Sequence, residues 1–294
     1  MNWIIRLNAA INYIEEHIME ELNLHEAAKI AGCSAYHFQR TFNYMADMPL
    51  SEYIRRRRMS LAVSDLQSDK AKIIDIALKY GYNSPTAFNR AFQSVHGIAP
   101  SLVKQDGVAV KSYLPINFKI IVKGVEEMNF RIEKKEAFRI VGISHPLENE
   151  MDKNAEIMPK MWQKAAMDGT IAKLAAMMDS QPMGVLGVSV YNVCGDSDER
   201  YNQFEGGRFY ISVASTKEID STLEEYTIQS FTWAVFPGEG AVSTVMPELQ
   251  KRIVTEWFPT SGYEYDNGPD IEVYLNDDPM NSKFEVWVPI KKPQ

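Results

Sequence analysis

Two cysteines among 294 residues, Cys33 and Cys194, are too few for a disulfide framework or a cysteine-built zinc module. No run of 18 or more apolar residues occurs, which excludes an obvious transmembrane helix, and there is no signal-peptide pattern. A cytoplasmic protein without membrane contact is expected. Histidine is scarce: of five, only His145 lies beyond residue 127. With no Ser-His-Asp set, no metal-ligand cluster and no glycine-rich phosphate loop, the expectation is no catalytic residue, no metal and no cofactor. Excess positive charge is also missing, since 31 Lys and Arg face 39 Asp and Glu for a net of −8. That balance is wrong for a uniform nucleic-acid binder. It is uneven, however. Residues 1–107 carry 12 basic and 11 acidic side chains, so the acidity belongs to the remainder. The length suits two domains of ordinary size.

What is present, within the first hundred residues, is a near-repeat. AKIAGCSAYHFQRTF (28–42) matches ALKYGYNSPTAFNRAF (77–92). Phe38, Arg40 and Phe42 correspond to Phe88, Arg90 and Phe92 at an offset of 50; Ala28 and Gly32 correspond to Ala77 and Gly81 at 49. The one-residue slip falls in the turn. Each copy reads as helix, glycine turn, helix. Ser34 and Ser84 are N-cap candidates, and Pro85 suits a first helical turn. The phenylalanines of each pair are four residues apart and share one inward helix face. The opposite faces carry Tyr36, Gln39, Arg40 and Asn43 in the first copy, and Thr86, Asn89, Arg90 and Gln93 in the second. Arginine pairs with guanine edges and Asn or Gln with adenine, so these faces suit double-stranded DNA. Arg55–Arg58 point all round a helix, and about half of them are expected to reach phosphate.

LNLHEAAKIAGCSAYHFQRTF, PLSEYIRRRRMSLAVSDL and IIDIALKYGYNSPTAFNRAFQSVHGIAPSLV resemble the DNA-binding domain of AraC/XylS transcription regulators. The resemblance implies two helix-turn-helix subdomains joined by a long helix, here about Pro49–Gln67. It implies base-facing positions at Tyr36, Gln39 and Arg40, and at Pro85, Thr86, Asn89 and Arg90; proline at 85 brings no side-chain hydrogen bond. RNA polymerase is a further partner of such a regulator. Two reading units in one chain remove the need for a dimer, so a monomer or weak homodimer is expected.

Beyond a seam at 109–126, read as a linker or a first strand (INFKIIV), the pattern becomes α+β. Strands and helices follow in the order β-α-β-β twice over, which predicts one pseudo-symmetric sheet flanked by helices. GRFYI, FTWAVFPGEG, LQKRIVTEWFPTSGYEYDNGPDIEVYLND and FEVWVPI resemble the GyrI-like effector-binding domain. The expected fold is thus an all-α N-terminal domain of two helix-turn-helix units (1–108) and a tandem β-α-β-β, GyrI-like C-terminal domain (127–294). In KFEVWVPI, alternation sets Glu285 and Trp287 on one sheet face. The resemblance implies a ligand cleft between the domain's halves, with the final-strand glutamate, Glu285, in it. Trp162, Tyr191 and Trp233 are the aromatic candidates for its walls. Aromatic rings around a carboxylate suit a flat or cationic organic effector. The expectation is a one-component regulator. The alternatives are a GyrI-like small-molecule hydrolase fused to a DNA-binding domain, and an acidic protein-binding module. Each ring also has a plain core reading, and Glu285 a structural ion-pair reading.

Overall fold

The computed structural model describes residues 3–67, 72–105, 107–119, 127–148, 151–191 and 207–292. Cys194 lies outside them. The N-terminal part is helical: α1 (Trp3–Glu16), α2 (Leu24–Ala31), α3 (Ala35–Ala46), α4 (Leu50–Leu66), α5 (Ile73–Lys79) and α6 (Pro85–His96). The two turns form as the repeat predicts. Gly32 and Gly81 both sit at φ +79°, where a side chain is strained. Ser34 Oγ accepts from the His37 N–H at 3.1 Å, and Ser84 Oγ from the Ala87 N–H at 3.2 Å. Phe38, Phe42, Phe88 and Phe92 are fully buried, the first pair in a core with α1 and the second in a core with the C-terminal half of α4.

Two of the four arginines, Arg57 and Arg58, are engaged inside the protein, and Arg55 and Arg56 stay partly exposed. Arg55 and Arg56 bind Glu52, Arg57 grips Glu15 and the Tyr113 carbonyl, and Arg58 donates to the carbonyls of Ile18 and Glu20. Arg57 and Arg58 tie α4 to α1 and the turn after it, Arg55 also reaches Ser94 of α6, and the Glu52 pairs stay within α4. The stretch after residue 108 is likewise structural. Residues 108–119 contain no strand, and Tyr113, Ile116 and Phe118 dock their backbone N–H groups on Ser60, Tyr53 and Asn8 of the helical part. The rest of INFKIIV lies outside the described residues.

The C-terminal part is built on an antiparallel sheet of β1 (Arg131–Lys135), β2 (Phe138–Leu147), β3 (Val185–Val190), β4 (Gly207–Ala214), β5 (Glu224–Ile228), β6 (Phe231–Gly240), β7 (Glu264–Tyr265), β8 (Asp270–Tyr274) and β9 (Ser282–Lys291). Its order is β1-β6-β9-β8-β3-β4-β2-β5, with β7 added beside β9. The order is nearly palindromic: β6, β8 and β9 repeat β2, β3 and β4, while β1 and β5 each cross to edge the other half. The segment YTIQSFTWAVFPG, read as one strand, is therefore two, because its ends belong to opposite halves. Helices α7 (Met151–Met167) and α8 (Thr170–Met177) cover one half; α9 (Val242–Arg252), a π-turn at Ile253–Trp257 and α10 (Phe258–Ser261) cover the other. These helices share one sheet face. The opposite face closes over a second apolar layer that includes Trp233, Trp287, Tyr210 and Ile271. None of the described helices is long and apolar enough to cross a membrane.

Candidate functional site: an acidic cleft holding a reading helix

The halves of the sheet meet where β3 pairs with β8. Gly187 lies opposite Glu272, and Ser189 opposite Asp270. Directly paired residues project to the same face. The alternate positions Leu186, Val188, Ile271 and Val273 belong to the apolar layer, so Asp270 and Glu272 must face the helix side. The floor between α7 and α9 is consequently polar. At Gly187 an added Cβ would lie 3.3 Å from both Glu272 Oε2 and the Trp162 ring, which shows how closely these groups converge. Tyr274 donates its hydroxyl to Glu272 at 2.7 Å, and Gln250 of α9 donates its amide to the other oxygen at 2.9 Å. Trp162 packs edge-on to Tyr274 at 5.1 Å. Burial pushes both the Asp270 and Glu272 carboxyls above their ordinary range, with Arg40 opposing the shift at Asp270.

Arg40 belongs to the first reading helix. Helix α3 lies in the cleft, presenting Tyr36, Arg40 and Tyr44, spaced four residues apart on one stripe. Tyr36 stacks on Tyr191 with ring centroids 4.3 Å apart, Arg40 reaches Asp270 at 2.8 Å, and Tyr44 donates to Gln250 at 2.5 Å. Beside them His37 stacks on Tyr265 at 3.8 Å. At the rim Lys251 meets Asp47, and Arg6 meets Glu264 at 2.9 Å. The Arg40 ion pair is 13 % and 9 % exposed on its two sides. Even so, among the described residues neither Asp270 oxygen, nor Arg40 Nε, nor the Tyr191 hydroxyl has a well-directed hydrogen bond. Arg40 and Tyr265 both bear on the Asp270 carboxylate and favour its charged form against burial.

The expected site residues thus fall into separate groups. Tyr36 and Arg40, expected on an open DNA face, are packed against the C-terminal domain. Gln39 is buried, with its amide directed to the Ala35 carbonyl at 3.3 Å, and Asn43 is half-buried. Thr86, Asn89 and Arg90 on α6 are all exposed, as a reading face requires. Among the cleft candidates, Tyr191 stands at the α3 contact and Trp162 at the cleft floor beside Tyr274 and Glu272. Glu285, Trp287 and Trp233 do not join them. Glu285 pairs with Val273 across the ladder, which sets it on the sheet face away from the helices. There it takes a two-pronged ion pair from Arg131 at 2.7 and 3.0 Å and the Trp287 indole N–H at 2.8 Å. Trp233 and Trp287 are buried in the apolar layer, 5.8 Å apart. Asp270 and Glu272 are absent from the residues expected from sequence, although carboxylates at alternate positions of the apolar strand PDIEVYL are a readable signal.

Residues 131–290 match the Cass2 family, described as integron-associated effector binding protein, and residues 27–106 match a helix-turn-helix domain of AraC type. The chain is 37% identical over 108 residues to the transcriptional activator AarP of Providencia stuartii, covering 37% of this chain and 80% of AarP. It is 38% identical over 95 residues to the regulatory protein SoxS of Salmonella typhimurium, covering 32% and 89%. The solved structure of SAV2435 bound to tetraphenylphosphonium aligns with a TM-score of 0.47 at 20% identity, covering 56% of this chain and 94% of that one.

Proposed function

The chain belongs to the Cass2 family of integron-associated effector-binding proteins and joins that domain to an AraC-type DNA-binding domain, and from that membership we propose a one-component regulator that reads promoter DNA and senses a small organic cation in the cleft floored by Asp270 and Glu272. The carrying observation is the pair of carboxylates, Asp270 buried and Glu272 half-buried, beside Trp162, Tyr191 and Tyr274. Such a floor attracts positive charge, and its aromatic walls add stacking and cation–π attraction. An effector-binding domain and regulator relatives favour a sensor over a hydrolase. The helical unit extends to about residue 119, given its docked tail. Both reading helices lie in one chain, which favours binding as a monomer, with RNA polymerase as the partner of the bound regulator.

Benzamidine and benzamide are a flat cation and its neutral counterpart of similar size. Calorimetric titration of the full chain should favour benzamidine. Glu272→Gln keeps the shape and removes the charge, so it should cut that preference by about tenfold, corresponding to roughly 1–2 kcal/mol. Unchanged preference in the variant would remove the carboxylate from the sensing role.

The exposed face of α6 gives a second expectation. Selecting random duplexes with the full chain should yield a preferred site. Arg90→Ala should lose about 1–3 kcal/mol on that duplex and relax preference at the contacted base. Equal losses on selected and random DNA would reduce Arg90 to a phosphate contact.

A further inference from the structure

The contact between α3 and the cleft joins the two binding activities at one set of atoms. A helix with its side chains is about as wide as the major groove it must enter. With Tyr36 stacked on Tyr191 and Arg40 paired with Asp270, the outer face of α3 is covered by protein and closed to DNA. Helix α6 carries no such cover. The same contact fills the cleft from the other side. Arg40 brings a flat, delocalised cation to Asp270, next to the rings of Tyr36 and Tyr191, and Tyr44 is linked through Gln250 to Glu272. In chemical terms the reading helix supplies the kind of group the cleft is suited to receive.

Resting on the sensor reading above, we propose that Arg40 is the cleft's internal ligand, and that a cationic effector binds by displacing it. Effector binding and docking of α3 are mutually exclusive. The undocked helix becomes free to enter the groove one helical turn from α6. The effector then raises DNA affinity because it binds only the undocked arrangement, and DNA raises effector affinity by the same factor, since equilibrium linkage is reciprocal. Docking also weakens the apparent effector affinity in proportion to how rarely the cleft is open.

The test uses two variants of the full chain. Asp270→Asn removes the charge that holds Arg40. Lys251→Glu acts at the rim, where it repels Asp47 and leaves the cleft carboxylates untouched. Both should tighten the selected duplex by about tenfold without any ligand, and extend the footprint from one major-groove segment to two adjacent ones. Saturating benzamidine should do the same to the unaltered chain. Lys251→Glu should in addition bind benzamidine more tightly, an effect that a local loss of one ion pair does not produce. Benzamidine binding with unchanged footprint, and Lys251→Glu with unaltered affinity for both ligands, would overturn the inference and leave the sensor reading standing. If benzamidine binds neither the unaltered chain nor Lys251→Glu, the sensor reading falls and this inference with it.

Discussion

Arg40→Met should weaken the interdomain contact by about 3–5 kcal/mol, because it keeps the aliphatic volume while stranding a buried carboxylate. Asp270 is 7 % exposed and has no other cation at hydrogen-bonding distance among the described residues. The loss is capped by the free energy of docking, since the domains can separate and return Asp270 to water. The expected signature in denaturant is therefore a single transition splitting into two, one for each domain. Arg40→Met combined with Asp270→Leu should restore much of the loss, since no charge is then stranded. The pH dependence has a definite sign. The Asp270 carboxyl titrates above its ordinary 3.8 through burial. In that window the folded chain holds a proton that the unfolded chain has lost, so this group's contribution falls as pH rises through its folded value. Without Arg40 the window widens upward, and the penalty for Arg40→Met should shrink on acidification. One unsplit transition at the original midpoint would show that the pair contributes nothing to docking.

Much of the helical domain was legible because its determinants are local. Phe38 with Phe42, Phe88 with Phe92, the two glycines at positive φ and the two serine caps each depend on residues within one or two turns. The tandem β-α-β-β order was legible for a similar reason, as strand and helix periods differ. Local pattern does not fix which face of a strand meets the helices. Alternation set Glu285 and Trp287 together, as found, but it carries no sign, and the helices cover Phe284, Val286 and Val288 instead. Arg55–Arg58 illustrate the same limit: a run of four points in every direction, and only the positions of Glu15, Glu52 and the Ile18 and Glu20 carbonyls decide where each guanidinium ends. The α3 contact was the least legible feature. Tyr44 meets Gln250 206 positions away in the chain. The polar stripe that suits a base edge suits an acidic cleft equally well, so composition of the stripe alone does not choose between them.

Phe88→Ala should cost about 3–5 kcal/mol, the usual range for emptying a fully buried phenylalanine site. Its ring lies at the centre of the second helix-turn-helix core, against Phe92 at 5.8 Å and Tyr82 at 5.7 Å. That core shares no residue with the sheet or the cleft. The loss should therefore fall on α5 and α6: operator binding fails, while the C-terminal domain stays folded and keeps its benzamidine affinity. The adjacent position supplies the contrast. Asn89 is exposed on the reading face, so Asn89→Ala should change stability by less than about 0.5 kcal/mol. On the selected duplex it should still cost about 1–3 kcal/mol if its amide reads a base. Under the proposed assignment one residue holds the helix in place while its neighbour contacts DNA. Loss of benzamidine binding in Phe88→Ala would show that the domains fold as one unit. A stability loss in Asn89→Ala as large as in Phe88→Ala would mean that the face assigned to DNA is part of the core.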